Sequence, residues 1–194
     1  MAVITRQNSA TILAKSSELF TKYYLPSMST LYQSPRITIR EFLPQEKQTF
    51  LDLFKDNQVT QYLPVTSPER YLEMFNELLE NYEKKNLSRW AIFDTTNRNF
   101  IGMCVARIFV HNTNQIEIGY VLSKAYWGKG IATEVCKALT QYSFAHTNTK
   151  EVVAITDIDN TGSQNVLQKS GFERLNNLIR DQEELAYFKI ERQS

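Results

Sequence analysis

Hydrophobic positions along the chain change period several times, and each change marks an element. Ile12, Ser16, Leu19, Phe20 and Tyr23 follow a helical spacing, which predicts a helix over about 9–25 that ends before Pro26. Ser34-Pro35 then punctuates the chain, and Ile37-Thr38-Ile39-Arg40 alternates as a half-buried strand does. Pro44 suits the first turn of a helix whose apolar face is Phe50, Leu51, Leu53 and Phe54, with its end at Asn57. A second helix opens on Ser67 as N-cap and Pro68 at the first helical position, and Tyr71, Phe75, Leu78, Leu79 and Tyr82 fall on one of its faces.

The period then drops to two. Residues 89–93, 101–110 and 115–122 read as strands joined by polar turns at 94–99 and 111–114, which predicts an antiparallel meander. The middle strand is expected to present Ile101, Met103, Val105, Arg107 and Phe109 on one side. Helical spacing returns at Ile131, Val135, Ala138, Leu139, Tyr142 and Ala145. The next strand, 151–158, carries Val152-Val153-Ala154-Ile155, a run suited to the middle of a sheet. A short helix over 163–169 closes at Gly171, and two strands near 173–176 and 184–190 finish the chain. The fold class is α/β with mixed α+β character: one mixed, mostly antiparallel sheet flanked by helices, with one crossover helix. No repeat or linker breaks the order. The expected organisation is a partly helical N-terminal extension over 1–35 and a single domain over 36–194.

Composition narrows the function classes. The chain has 194 residues, enough for one domain with a sizeable core. Lys and Arg number 22 against 21 Asp and Glu, which argues against a protein whose main work is gripping nucleic acid through phosphates. No apolar run approaches the ~20 residues that cross a bilayer, so no membrane partner is expected and a cytoplasmic location follows by default. The first 17 residues lack acids, as transit peptides do, but a surface-lying extension is the preferred reading. Cys104 and Cys136 make no CxxC pair, and His111 and His146 stand alone. Two small buried thiols and no metal are expected.

The strongest local chemistry is Tyr126-Trp127-Gly128-Lys129-Gly130-Ile131-Ala132-Thr133, between a strand and an amphipathic helix. Two glycines permit a tight turn and close approach of a ligand to the backbone. The first helical turn leaves N–H groups unpaired, and the helix dipole favours an anion there, so the segment reads as a pyrophosphate site. A P-loop would need GxxxxGK[ST], which is absent. A Rossmann fingerprint would need a third glycine where Thr133 stands, and Asp157 and Asp159 come too late for its ribose-binding acid.

With these segments in order, the chain resembles the GNAT superfamily of acetyl-CoA-dependent N-acetyltransferases, and within it the branch that includes the ribosomal-protein N-terminal acetyltransferases. The resemblance runs from about 36 to 190. It is carried by Ile116-Glu117-Ile118-Gly119-Tyr120-Val121-Leu122, the Tyr126–Glu134 turn, Asn160-Thr161-Gly162-Ser163 and Leu167-Gln168-Lys169-Ser170-Gly171-Phe172. One departure is Ala125, where the superfamily often has Gln or Arg. The resemblance implies the acyl-CoA N-acyltransferase fold, with two strands splayed at the cofactor. It implies acetyl-CoA as co-substrate, its pyrophosphate on the amides of Trp127, Gly128, Lys129, Gly130, Ile131 and Ala132, with Thr133 completing the turn. Backbone groups of Val121 and Leu122 would line the thioester end, and Asn160 would bond the pantetheine arm.

Acetylation by direct attack in a ternary complex needs a neutral amine and a donor for the leaving thiolate. Glu117 interrupts an apolar strand near the proposed thioester site and is the candidate base, with a raised pKa if buried; a salt-bridged strand glutamate is the alternative. Ser163 is the candidate donor to the thiolate; an N-cap serine is the alternative. A backbone N–H near Val121 could meet the charge developing on the thioester oxygen, and Gly119 fits a bulge there. Trp127 covers the cofactor or anchors in the core. Tyr62-Leu63-Pro64-Val65 borders the acceptor site or staples a loop. The expected partner is an amine acceptor, either a protein N-terminus or a small molecule, with a homodimer left open. A non-catalytic acyl-CoA-binding module is the second hypothesis and a nucleotide-binding protein the third.

Overall fold

The alternating segments pair into one nine-stranded sheet in the computed structural model, which describes residues 29–193. The helix expected over about 9–25 lies outside the described residues. The strands are β1 (Thr30–Gln33), β2 (Ile37–Arg40), β3 (Arg89–Asp94), β4 (Phe100–Phe109), β5 (Asn112–Leu122), β6 (Glu151–Asp157), β7 (Glu173–Arg174), β8 (Leu178–Arg180) and β9 (Glu183–Glu191). Their spatial order is β1-β2-β3-β4-β5-β6-β9-β7, with β8 also on β9. The meander β3-β4-β5 is antiparallel as expected, and only β5 and β6 run parallel. β1 pairs with β2 although it falls within the stretch expected to be an extension.

Five helices are described: α1 (Lys47–Leu53), α2 (Asn57–Thr60), α3 (Pro68–Glu83), α4 (Ile131–His146) and α5 (Thr161–Lys169). Pro44 opens a 3-10 turn ahead of α1. Asn57 does not end that helix: Asp56 accepts the Gln58 N–H and starts α2. Ser67 caps α3 as expected, its side chain accepting the Arg70 N–H at 3.2 Å. α4 is the crossover between the parallel strands β5 and β6.

The sheet carries a core on each face. Ile37, Ile39, Trp90, Cys104, Ile116, Ile118, Val135 and Leu139 meet on the α4 side. Phe42, Phe50, Phe75, Leu78, Ala91 and Met103 meet under α1 and α3. Two expected faces shift. Ile101 packs with Cys104 and Ala106 rather than with Met103, because strand alternation breaks at Gly102 beside a bulge in the β3–β4 ladder. On α4, Ala145 is exposed, while Cys136, Thr140 and Ser143 join the buried side. That face widens because α4 packs on β5 and also on α5. Both cysteines are buried and free, and burial pushes their thiols up, so they stay protonated.

The feature that makes room for a ligand is a fork. β5 pairs with β6 only at Gln115–Glu151, Ile116–Val152 and Glu117–Val153. Beyond that point β5 keeps its ladder with β4 as far as Leu122, and β6 keeps its ladder with β9 as far as Asp157. Each strand therefore follows its outer neighbour, and the two part. At the open end Gly102 lies opposite Leu122, and a Cβ there would collide with the Val121 carbonyl oxygen. Gly102→Ala should lower the unfolding free energy by about 2–3 kcal/mol, measured by urea denaturation.

Candidate active site

The glycine turn forms by local rules. β5 ends at Leu122, a 3-10 turn covers Lys124–Tyr126, and Gly128 and Gly130 take left-handed φ values of 71° and 74°. Gly130 is the N-cap of α4 and offers no side chain to its first N–H groups. Nothing lies within 4 Å of where a Cβ would stand on Gly128, so the space over the turn is open. The Trp127 N–H is taken by the Lys124 carbonyl at 3.0 Å and so leaves the expected set of amides; the N–H groups after it, through the first turn of a 16-residue helix, form a cradle at the helix's positive end.

Distant residues brace the turn. The Trp127 indole N–H donates to the Leu122 carbonyl at 2.8 Å, which ties the turn to the end of β5. The Arg36 guanidinium donates to the Lys129 carbonyl at 2.5 Å and lies 3.5 Å from Glu134. Glu134, in the first turn of α4, also accepts the Ser34 hydroxyl at 2.5 Å. Arg36 thus offsets a carboxylate that would otherwise oppose an anion at this helix end. Arg36 has no local sequence signal, since it stands 93 residues before the carbonyl it meets.

A cavity of about 530 Å³ runs from this turn along the open fork. Trp127, Gly128, Gly130, Ile131, Ala132 and Thr133 line one end, and Tyr120, Val121, Leu122, Asn160 and Ser163 line its length. The segment from Gln58 to Leu63 contributes a further wall, including Tyr62 and Leu63. Of the proposed cofactor residues only the Lys129 side chain stays outside the lining; it rests over the Tyr126 ring at 5.4 Å. A larger cleft of about 1380 Å³ at the other end of β5, lined by Asn81, Lys85, Asn114 and Lys150 among others, holds none of these residues.

Two expectations change here. Ser163 is not the cap of α5. Asn160 is the N-cap, and its side-chain oxygen accepts the Ser163 N–H at 3.0 Å. Asn160 starts the helix earlier than expected, and the Ser163 hydroxyl is left free of capping duty. Its structural alternative is thereby removed. Only the Asn160 oxygen serves the cap, which leaves its amide N–H groups outside that bond.

Glu117 changes in the other direction. It lies at the last β5–β6 pair, outside the cavity lining, with 8% of its side chain exposed. Arg107 grips it with bonds of 3.1 and 2.7 Å, and Arg180 with bonds of 3.2 and 3.0 Å. Burial pushes its carboxyl up, but hydrogen bonds and charge from the two arginines outweigh burial and hold it below the usual carboxylate range. The raised pKa expected of a buried base is reversed, because Arg107 and Arg180, whose pairing with Glu117 the strand pattern does not show, stabilise the carboxylate.

Tyr120 carries no functional signal in the strand pattern. Its hydroxyl is buried in the cavity wall and has no hydrogen-bond partner among the described residues. Within the sequence it read as one more apolar strand position.

Comparison with known proteins follows this geometry. A family model described as acetyltransferase (GNAT) domain matches residues 36–173. The chain is 28% identical over 159 residues to the uncharacterized N-acetyltransferase p20 of Bacillus licheniformis, covering 80% of this chain and 88% of that protein. Its fold is similar to the ribosomal-protein-S5-alanine acetyltransferase of Vibrio fischeri, with a TM-score of 0.71, 18% identity and coverage of 84% and 96%. It is similar also to the spermidine N-acetyltransferase of Vibrio cholerae solved with CoA and spermine, with a TM-score of 0.66, 17% identity and coverage of 81% and 96%.

The arginine clamp has a measurable consequence. Glu117→Gln leaves two guanidinium groups without their carboxylate and should cost about 1–3 kcal/mol of stability at pH 7. A depressed carboxyl stabilises the fold above its unfolded pKa and ceases to as pH falls through its folded pKa. The gap between wild type and variant should therefore close below the usual carboxylate range, as followed by urea denaturation from pH 7 to pH 3.

Proposed function

The chain belongs to the GNAT acetyltransferase family, and from that premise we propose that its acceptor is the N-terminal amine of a peptide or protein. As a family member it is an acetyl-CoA-dependent acyltransferase that transfers acetyl to an amine. The lining of the cavity supports the acceptor reading: among the described residues Lys169 is its one formally charged residue. A polyamine gains most from a groove of carboxylates, whose field concentrates cations. A peptide N-terminus brings a single amine on an extended chain, which Val59, Tyr62 and Leu63 can meet with apolar surface. The adjoining Val65 is fully exposed, so this wall continues as an apolar rim.

Bound acetyl-CoA supplies the acetyl group as a thioester already open to attack by an amine. The residues present fit it: a cradle of free amides at one end of the cavity, unpaired strand edges along it, and two hydroxyls beside it. In this proposal the amides of Gly128 to Thr133, with Trp127 and Lys129 shaping the turn, hold the pyrophosphate. Backbone groups of Val121 and Leu122, on the part of β5 that has left β6, orient the acyl end. The Asn160 amide steadies the pantetheine arm. Ser163 donates its hydroxyl hydrogen toward the leaving sulfur.

Glu117 enters differently from a simple base. A carboxylate held below its usual range is a weak proton acceptor. Its proposed contribution is to fasten β4, β5 and the β8–β9 hairpin at the point where β5 and β6 part. Proton loss from the acceptor amine then passes to solvent.

The family activity and its acceptor are tested together by release of free CoA thiol with acetyl-CoA, across peptides, spermidine and aminoglycosides. Peptides should be acetylated at their α-amine, and spermidine should react at least tenfold more slowly by kcat/KM. Preferred turnover of spermidine would overturn the acceptor reading. Acetyl-CoA binding with no turnover on any amine would favour a binding module. Ser163→Ala should lower kcat about tenfold or more with acetyl-CoA KM little changed. Gly130→Ala should raise the KM for acetyl-CoA, because a side chain at φ 74° costs about 1–2 kcal/mol and distorts the cradle.

A further inference from the structure

Tyr120 lies on β5 with its ring on the α4 face, packed against the buried core there. Its hydroxyl is shielded from solvent and meets no acceptor or donor among the described residues. Leaving such a group unsatisfied costs about 1–3 kcal/mol, so an orphaned phenol calls for an explanation. A phenylalanine would pack the same space without that cost.

The surroundings supply the explanation. Tyr120 and Ser163 both line the 530 Å³ cavity, one from the freed end of β5 and one from the first turn of α5. The Ser163 side chain stands beside the phenol, near enough to favour its ionised form but without the geometry of a formed hydrogen bond, and burial outweighs it and pushes the phenol up. The phenol is thus a permanent donor at any ordinary pH. Ser163 is spared from capping by Asn160. A serine hydroxyl both donates and accepts, so it can take one hydrogen bond and pass its own hydrogen onward.

We infer that Tyr120 is a positioning residue: its phenol donates to the Ser163 hydroxyl oxygen when the cavity is filled, and thereby aims the Ser163 hydrogen at the sulfur of the bound thiol or thioester. The inference rests on Ser163 being the donor to sulfur. A phenol–serine–sulfur chain fixes a hydroxyl that otherwise rotates freely, and such chains reinforce one another in a water-poor cavity.

The direct test uses the full chain with 3-fluorotyrosine at position 120, read by fluorine NMR. Titration with CoA should shift the resonance, and titration with desulfo-CoA should shift it distinctly less. Ser163→Ala should erase that difference. Equal shifts with both ligands would mean that the phenol meets the pantetheine arm instead, and no shift with either would mean that it does not respond to the site; each result overturns the inference. Kinetics give a second readout. Tyr120→Phe should lower kcat about fivefold, the worth of one net hydrogen bond, with acetyl-CoA KM little changed. In a Ser163→Ala background it should cost nothing further. Thermal stability of Tyr120→Phe should not fall, because no bond is lost; a lowered Tm with full kcat per folded molecule would assign the phenol to packing. Unchanged turnover in Ser163→Ala would remove the donor reading itself. Slow Ser163→Ala beside fully active Tyr120→Phe would remove only Tyr120.

Discussion

Everything functional in this molecule depends on two parallel strands that stop pairing partway along. β5 and β6 share three residue pairs, ending at Glu117 and Val153. Strand edges without partners are costly when they are dry, because each exposed N–H and C=O seeks a hydrogen bond. The fold tolerates the opening because both strands are fastened on their outer sides. β4 holds β5 through Leu122, and β9 holds β6 through Asp157. The unpaired edges are then a ready surface for the amides of an extended ligand. This logic is that of an added strand, applied inside a sheet rather than at its rim.

The ion cluster at Glu117, with its carboxylate buried and Arg107 half-exposed, belongs to the same constraint. It gathers Arg107 from β4, Glu117 from β5 and Arg180 from β8 at the level where the strands separate. Buried ion pairs are poor sources of net stability, because desolvation offsets attraction. They are good at specifying one arrangement, since any slip of register leaves a charge unpaired. A cluster at the fork defines where parting begins. The aromatic support under Arg180, with Phe109 at 5.6 Å, and the stacking of Phe109 on Tyr187 extend that definition onto β9.

What was legible in the sequence was whatever is encoded locally. The order of most elements from β2 onward, the meander, the crossover helix and the glycine turn follow from period, caps and glycine placement within a dozen residues, whereas β1, α2 and β8 do not. What was not legible depends on meetings across the sheet. Gly102 reads as an ordinary strand residue until Val121 is set against it. β8 is three residues long, too short for a period, so Arg180 had no assigned place and the sign of the Glu117 shift came out reversed. The Ser163 ambiguity had a nearer cause. Asn and Ser are equally good caps, and Asn160 comes first with room for the helix to begin one turn sooner.

These corrections redistribute the work among the residues of the site. In the proposed binding the turn at Gly128 and Gly130 would supply affinity through backbone groups, which any side chain could adorn but few could replace. Backbone cradles are specific for phosphate and indifferent to what the other end of the ligand carries. On that proposal, selectivity for a thioester would fall to the far end of the cavity, which Val121, Tyr120 and Ser163 line. The hydroxyls there are the groups that neither packing nor capping accounts for. The Tyr120 phenol has no partner among the described residues, and the inferred contact with Ser163 would satisfy it when the cavity is filled.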